Sequence, residues 1–187
     1  MHTLVERAGS AAELPDWAQC GQKRYAHSVR VGDLLLTWAA GLGVPEGERI
    51  RWRAAGVLHD ALKDASDEDL RALAGDGWPE PVAHAPACAV RLRADGVEDD
   101  SLLDAIAYHP IGHPDLDDLG KYLILADYLE PGRDFQSVER ASLRDRLPAD
   151  GDDVLAVVVG QRLTRLLEKR RPLMKCSVDS WNQLVGP

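Results

Sequence analysis

Apolar residues recur at steps of three and four along most of this chain, the spacing that gathers side chains on one face of an α-helix. Between Gln22 and Leu42 the residues His27, Val31, Leu34, Leu35, Trp38 and Leu42 keep that step, and Gly41, Gly43 and Pro45 stop the run. A second helix is predicted from about Glu46 to His59, with Ile50, Ala54, Val57 and Leu58 inward. Ser66 followed by Asp69 resembles a capping box and opens a short helix towards Ala74; Gly75, Gly77, Pro79 and Pro81 then mark a loop. The next helix starts near His84, with Pro86 in its first turn where a missing N–H costs nothing, and ends near Gly96. Another spans roughly Ser101 to His109. Leu119, Leu123, Ala126, Asp127 and Glu130 share a face of a further helix that Pro131-Gly132 terminates. The last runs from Asp152 to about Arg170, with Leu155, Val158, Val159, Leu163, Leu166 and Leu167 apolar. No alternating strand pattern stands out, and no repeat, low-complexity tract or linker divides the chain. The predicted fold class is all-α, as one domain over residues 1–187. The first twenty residues and the tail from Pro172 give no reading.

Composition narrows the function classes. At 187 residues the chain can bury roughly 70% of the surface its unfolded form exposes. Aromatic residues are only 5%, so the core must be built from Leu, Val, Ala and Ile. A net charge of −9 argues against general binding to DNA or RNA, whose phosphates attract basic faces. Cys20, Cys88 and Cys176 are odd in number and form no C-x-x-C pair, so no disulfide framework is expected and the cytoplasm is the expected location. No early segment reads as a signal peptide, and apolar runs such as Val154 to Val159 are too short to span a bilayer. Neither nucleic acid nor membrane is expected as a partner; the sequence is compatible with a homodimer.

The chemistry lies in an ordered series: His27, His59-Asp60, His84, His109 and Asp127. A lone histidine on an apolar face is more often a hydrogen-bonded core residue than a ligand. His59-Asp60 resists that reading, because it closes an apolar helix and a buried carboxylate without a partner is expensive. Six ligand-type residues on the inward faces of several helices make a joint coincidence improbable. Structural zinc normally takes cysteine pairs, which are absent; histidine with carboxylate suits iron, manganese, nickel or zinc in a catalytic role. Asp60 is the natural bridge, one oxygen to each of two ions about 3.5–4 Å apart, which could share a water and lower its pKa. Two divalent ions outweigh Asp60 and Asp127 in charge, so even this acidic protein can take an anionic substrate. Arg24 lies one turn before His27, Lys63 one turn after His59 if that helix continues, and Arg133 just beyond the Asp127 helix. Together they read as a phosphate clamp, with the fork of Arg133 best suited to it.

At these residues the chain resembles the HD-domain phosphohydrolases, and within them the YqeK-like group of symmetrical diadenosine tetraphosphate hydrolases. The matching stretches are Arg24-Tyr25-Ala26-His27, Ala55-Gly56-Val57-Leu58-His59-Asp60-Ala61-Leu62-Lys63-Asp64, His84-Ala85, and Ala105-Ile106-Ala107-Tyr108-His109 with Gly112. The sharpest is Leu125-Ala126-Asp127-Tyr128-Leu129-Glu130-Pro131-Gly132-Arg133. Order and spacing match over about residues 22–167. The resemblance implies an HD-domain helical bundle with short extensions at both ends. It also implies a two-metal site usually holding iron, with manganese, cobalt, nickel or zinc as alternatives, and cleavage of a dinucleoside polyphosphate into two nucleoside diphosphates. Carried over, His27, His59, Asp60 and Asp127 hold one ion, and His84, His109 and Asp60 the other. Asp60 and Lys63 are then the expected catalytic residues, and Arg24, Lys63, Arg133 and His113 the expected substrate contacts. The rival readings are an HD phosphohydrolase acting on a mononucleotide, a di-iron oxygenase of the same ligand set, and a catalytically idle nucleotide-binding module.

Overall fold

In a computed structural model of the chain, which describes residues 1–133 and 136–186, the elements are helical throughout. They are α1 (Thr3–Ala11), α2 (Gln22–Gly41), α3 (Glu46–Leu58), α4 (Asp67–Ala74), α5 (His84–Ala94), α6 (Asp100–Tyr108), α7 (Asp118–Leu129), α8 (Ser137–Asp145), α9 (Gly151–Glu168) and α10 (Lys175–Val185). A single 3-10 turn, Glu80–Val82, precedes α5, and no strand occurs among the described residues. The all-α expectation holds.

Local chemistry sets the ends. Ser66 accepts from the backbone N–H of Asp69 at 3.1 Å and starts α4, as the capping pattern predicts. Asp99 and Asp117 do the same for α6 and α7, accepting from Leu102 and Gly120. Helix α7 stops at Leu129 because Pro131 forces the residue before it out of helical backbone; Glu130 is extended, with ψ 141°.

Helices α2 and α3 cross where Gly32 meets Gly56. A Cβ on Gly56 would stand 2.5 Å from both the Cα and the N of Gly32, so only glycine lets the backbones come this close. That crossing is what sets His27 beside His59. Helix α7 runs through the middle of the protein: Leu119, Leu123, Ile124, Leu125, Ala126 and Leu129 are all buried. Trp38 and Trp52 pack on Tyr122, with ring centroids 6.1 and 5.7 Å away.

Several expectations shift. On α3 the buried aromatic is Trp52, while Ile50, expected inward, is only half-buried. The α3 helix does not continue past His59, which is its C-cap; tight turns follow, with Lys63 N–H donating to the Asp60 carbonyl at 3.0 Å. Leu42 and Leu167 lie exposed, at 41% and 62%. The stretches that gave no reading form α1 and α10. α1 buries Val5, Ala8 and Gly9, and Trp181 of α10 packs on the core. Among the described residues no helix is long and apolar enough to cross a membrane.

Candidate metal centre

Five elements converge on one buried cluster. His27 comes from the first turns of α2, His59 caps α3 with Asp60 next to it, His84 opens α5, His109 caps α6 and Asp127 lies on α7. His27, His59 and Asp60 form one triad and Asp60, His84 and His109 another, each with ligand atoms within 4.8 Å of one another. Asp60 belongs to both. Its Oδ2 is 3.5 Å from His59 Nε2, while its Oδ1 is 3.0 Å from His84 Nε2 and 3.7 Å from His109 Nε2. One carboxylate thus turns one oxygen to each triad. Asp127 joins the first: its Oδ1 is 3.2 Å from His27 Nε2 and 3.9 Å from His59 Nε2.

Three of the imidazoles are aimed by what their Nδ1 meets. In His59 it faces the Gly56 carbonyl at 2.7 Å, in His109 the Ile106 carbonyl at 2.8 Å, and in His27 the Glu130 carboxylate at 3.1 Å. Nδ1–H donation to those oxygens leaves each Nε2 lone pair pointing into the cluster, the arrangement metal-ligating histidines adopt. His27 Nε2, His59 Nε2 and Asp60 Oδ1 are buried without a hydrogen-bond partner. Such orphaned atoms are costly in a folded protein, and divalent cations at the two triads would satisfy all three. The donor set, imidazole nitrogen and carboxylate oxygen with no thiolate, fits iron, manganese, cobalt, nickel or zinc.

Electrostatics match that geometry. Burial alone would push Asp60 up, yet His59, His84, His109 and Lys63 together hold it well below the usual carboxylate range. Burial opposes ionisation of Asp127 too, and His27, Arg162 and Arg133 overcome it. Burial lowers His59 and, more strongly, His109, keeping both imidazoles neutral. Burial also lowers the Lys63 amine.

The expected clamp residues ring the carboxylates. Arg24 Nη1 is 3.5 Å from Asp60 Oδ2, and Lys63 Nζ is 3.1 Å from His84 Nε2 and 4.0 Å from Asp60 Oδ1. Arg133 folds back onto Asp127, its Nη2 2.7 Å from Asp127 Oδ1 and its Nε donating to the Asp127 carbonyl at 3.1 Å. These three side chains are 35%, 27% and 37% exposed against 4% for Asp60, so they line the solvent side of the cluster. His113 is placed differently. Its ring packs on Tyr108 at 4.5 Å, its Nδ1 accepts from the Asp115 N–H, and it faces a cavity of about 200 Å³ shared with Ser180 and Leu184 of α10.

Arg162, Glu130 and Arg30 were not among the expected site residues. Arg162 of α9 donates to Asp127 Oδ2 at 3.0 Å and to the His109 carbonyl at 2.8 Å. Its signal in the sequence was a cation on the apolar stripe of Leu155, Val159 and Leu166. Glu130 is buried behind His27 and takes Arg30 as its ion-pair partner. Burial works against its charge, but hydrogen bonds from His27, Arg30 and the Gly132 N–H bring it down to about 2.

Known proteins resemble this chain along most of its length. The family model of the HD domain matches residues 24–132. The symmetrical bis(5'-nucleosyl)-tetraphosphatase of Halalkalibacterium halodurans is 28% identical over 173 residues, covering 88% of this chain and 90% of that one. The enzyme of the same name from Bacillus subtilis is 28% identical over 178 residues, covering 90% and 92%. Among solved structures, a predicted HD superfamily hydrolase involved in NAD metabolism from Clostridium acetobutylicum superposes with a TM-score of 0.76 at 26% identity, covering 88% of this chain and 90% of that one.

Proposed function

Since the chain belongs to the HD domain family, we propose that it is a metal-dependent hydrolase that splits diadenosine tetraphosphate, or a related dinucleoside polyphosphate, into two nucleoside diphosphates. The observation that carries this reading is the sharing of Asp60 between two buried triads whose open side is lined by Arg24, Lys63 and Arg133. His27, His59, Asp60 and Asp127 would hold one divalent ion and Asp60, His84 and His109 the other, with iron the first choice of metal. When bound, such ions supply Lewis-acid polarisation of phosphoryl oxygens and lower the pKa of a water.

The chain's own groups bind and orient the phosphates. Arg24 and Arg133 stand on the solvent side of the two carboxylates, where they can balance charge on a polyphosphate that reaches the ligands. Lys63 reaches across the second triad and can hand an N–H to a phosphoryl oxygen brought there. Three cations around one centre can hold a diphosphate end as a unit, which favours attack two phosphates in from a nucleoside. His113, packed on Tyr108 and facing the cavity beside α10, stands apart from these cations and takes no part in this phosphate grip. The three free cysteines agree with a reducing cytoplasm.

Chromatography of an early time point, with manganese, cobalt or ferrous iron added to diadenosine tetraphosphate, tests the reading. Two ADP and no ATP or AMP are expected. Equal ATP and AMP would sink the symmetrical assignment. A mononucleotide cleaved while the dinucleotide stays intact would favour the mononucleotide hydrolase, and oxygen uptake without any nucleotide product the oxygenase.

A further inference from the structure

A buried carboxylate that belongs to neither triad stands directly behind one ligand. Glu130 is 2% exposed at its side chain, and its Oε1 lies 3.1 Å from His27 Nδ1. Its Oε2 accepts from Arg30 Nε at 2.5 Å and from the Gly132 N–H at 2.8 Å, with Arg30 Nη2 3.4 Å from Oε1. The local sequence builds this grip. Pro131 ends α7, Glu130 leaves it in extended backbone, and the chain turns so that the Gly132 N–H comes back to the carboxylate. Gly132 also makes room for the clamp: a Cβ there would lie 2.5 Å from Arg30 Cζ, well inside contact distance.

His59 and His109 take their Nδ1 partner from their own backbone, three residues back. His27 takes it from a side chain that sits on another helix's end and is held by a third group. An ionised carboxylate is a stronger acceptor than a carbonyl, so it holds the ring firmly in the Nδ1–H tautomer and makes Nε2 a better donor to a metal. We propose that Glu130, clamped by Arg30 and Gly132, is a positioning residue that fixes His27 as an Nε2 ligand and sets how tightly the His27–His59–Asp60 position holds its ion. The Asp60–His84–His109 position does not depend on it. This rests on the metal-dependent reading above.

The test is a cobalt(II) titration of metal-free protein, followed by equilibrium dialysis and by the visible absorption of the bound ion. Wild-type protein should take two ions. Glu130→Ala should weaken one site by about 10–100-fold and change that site's cobalt spectrum, leaving the other site as it was. Glu130→Gln keeps an acceptor oxygen for His27 and should recover part of the loss. Gly132→Ala, which pushes Arg30 off the carboxylate without altering His27 or Glu130, should fall between. Two sites of wild-type affinity and spectrum in Glu130→Ala overturn the proposal, and so does equal weakening of both. Should Glu130→Ala fail to fold, Gly132→Ala and Arg30→Met decide, and unchanged binding in both overturns it. Wild-type protein that binds no cobalt would sink the metal-dependent reading and this proposal together; normal wild-type binding with unaffected variants sinks the proposal alone.

Discussion

Arg162 holds Asp127 by the oxygen that His27 does not face. Its Nη2 is 3.0 Å from Oδ2, while Oδ1 is 3.2 Å from His27 Nε2. The other arm of the same guanidinium meets the His109 carbonyl at 2.8 Å, so one side chain of α9 ties a residue of each candidate metal position. Arg162→Met should therefore cost roughly 2–4 kcal/mol, because Asp127 is left largely buried with less charge compensation. That corresponds to a fall in melting temperature of roughly 5–15 °C for a chain of this size. Arg162→Lys should recover only part of it, since an ammonium cannot span both acceptors as the planar fork does. Thermal melts of the three proteins, with and without added manganese, check this; a wild-type melt in Arg162→Met would show that the clamp carries no weight.

Asp60→Ala removes the oxygen that faces each triad. Loss of both ions and a fall in hydrolysis of at least ~10³-fold are expected, with helical content retained. Elemental analysis, circular dichroism and the nucleotide assay on one preparation read all three. Near-full activity would exclude the bridging role.

The glycine crossing predicts a large effect from one methyl group. Gly56→Ala sets a Cβ against the backbone of Gly32, and backbone cannot swing aside as a side chain can. The expected cost is about 1–3 kcal/mol or more, with weaker metal retention because His27 and His59 are pushed apart. Gly47→Ala, on the same helix with nothing within 4 Å of the added carbon, is the control and should stay within about 0.5 kcal/mol of wild type. Equal melting temperatures for the two variants would contradict the close crossing.

Away from the centre, Arg51 grips Asp99 with Nε at 2.5 Å and Nη2 at 2.8 Å, and holds its carboxyl below the usual aspartate range. A carboxylate whose folded pKa is depressed adds stability above its unfolded value and loses it as pH falls through the folded one. Asp99→Asn should thus lower stability by about 1–2 kcal/mol at neutral pH. The gap to wild type should begin to close as pH falls below about 4, where Asp99 of the unfolded chain starts to take up a proton, and should vanish only once the pH passes the lower value of the folded carboxyl. Melting curves from pH 7 to pH 3 test the sign; a gap that widens towards acid would refute it.

Much of this was legible because ligands and helices write themselves into local sequence. The three-and-four spacing placed α2, α3, α5, α6, α7 and α9 to within a few residues, and the six ligand-type residues meet in one cluster. What escaped was long-range or weakly patterned. Arg162 meets Asp127 across 35 residues, and nothing near either one encodes the contact. Glu130 was visible on the α7 face, but its partner Arg30 is 100 residues earlier. Helix α1 spans only Thr3–Ala11 and buries Val5, Ala8 and Gly9, so it offers little more than two turns of pattern, carried mostly by small residues. Lys63 reached the second triad although the helix expected to carry it there ends at Leu58, because turns bring it to the same side.

The two imidazoles aimed by carbonyls three residues back owe that aim to the backbone and not to any side chain. No substitution at Gly56 or Ile106 deletes the oxygen that aims His59 or His109, since every amino acid brings the same carbonyl. Those two imidazoles keep their aim through side-chain changes around them so long as their helices keep their ends. His27 has no such protection. Anyone wishing to retune this centre for another metal should begin with the side chains behind His27, because that is where the backbone leaves the choice open.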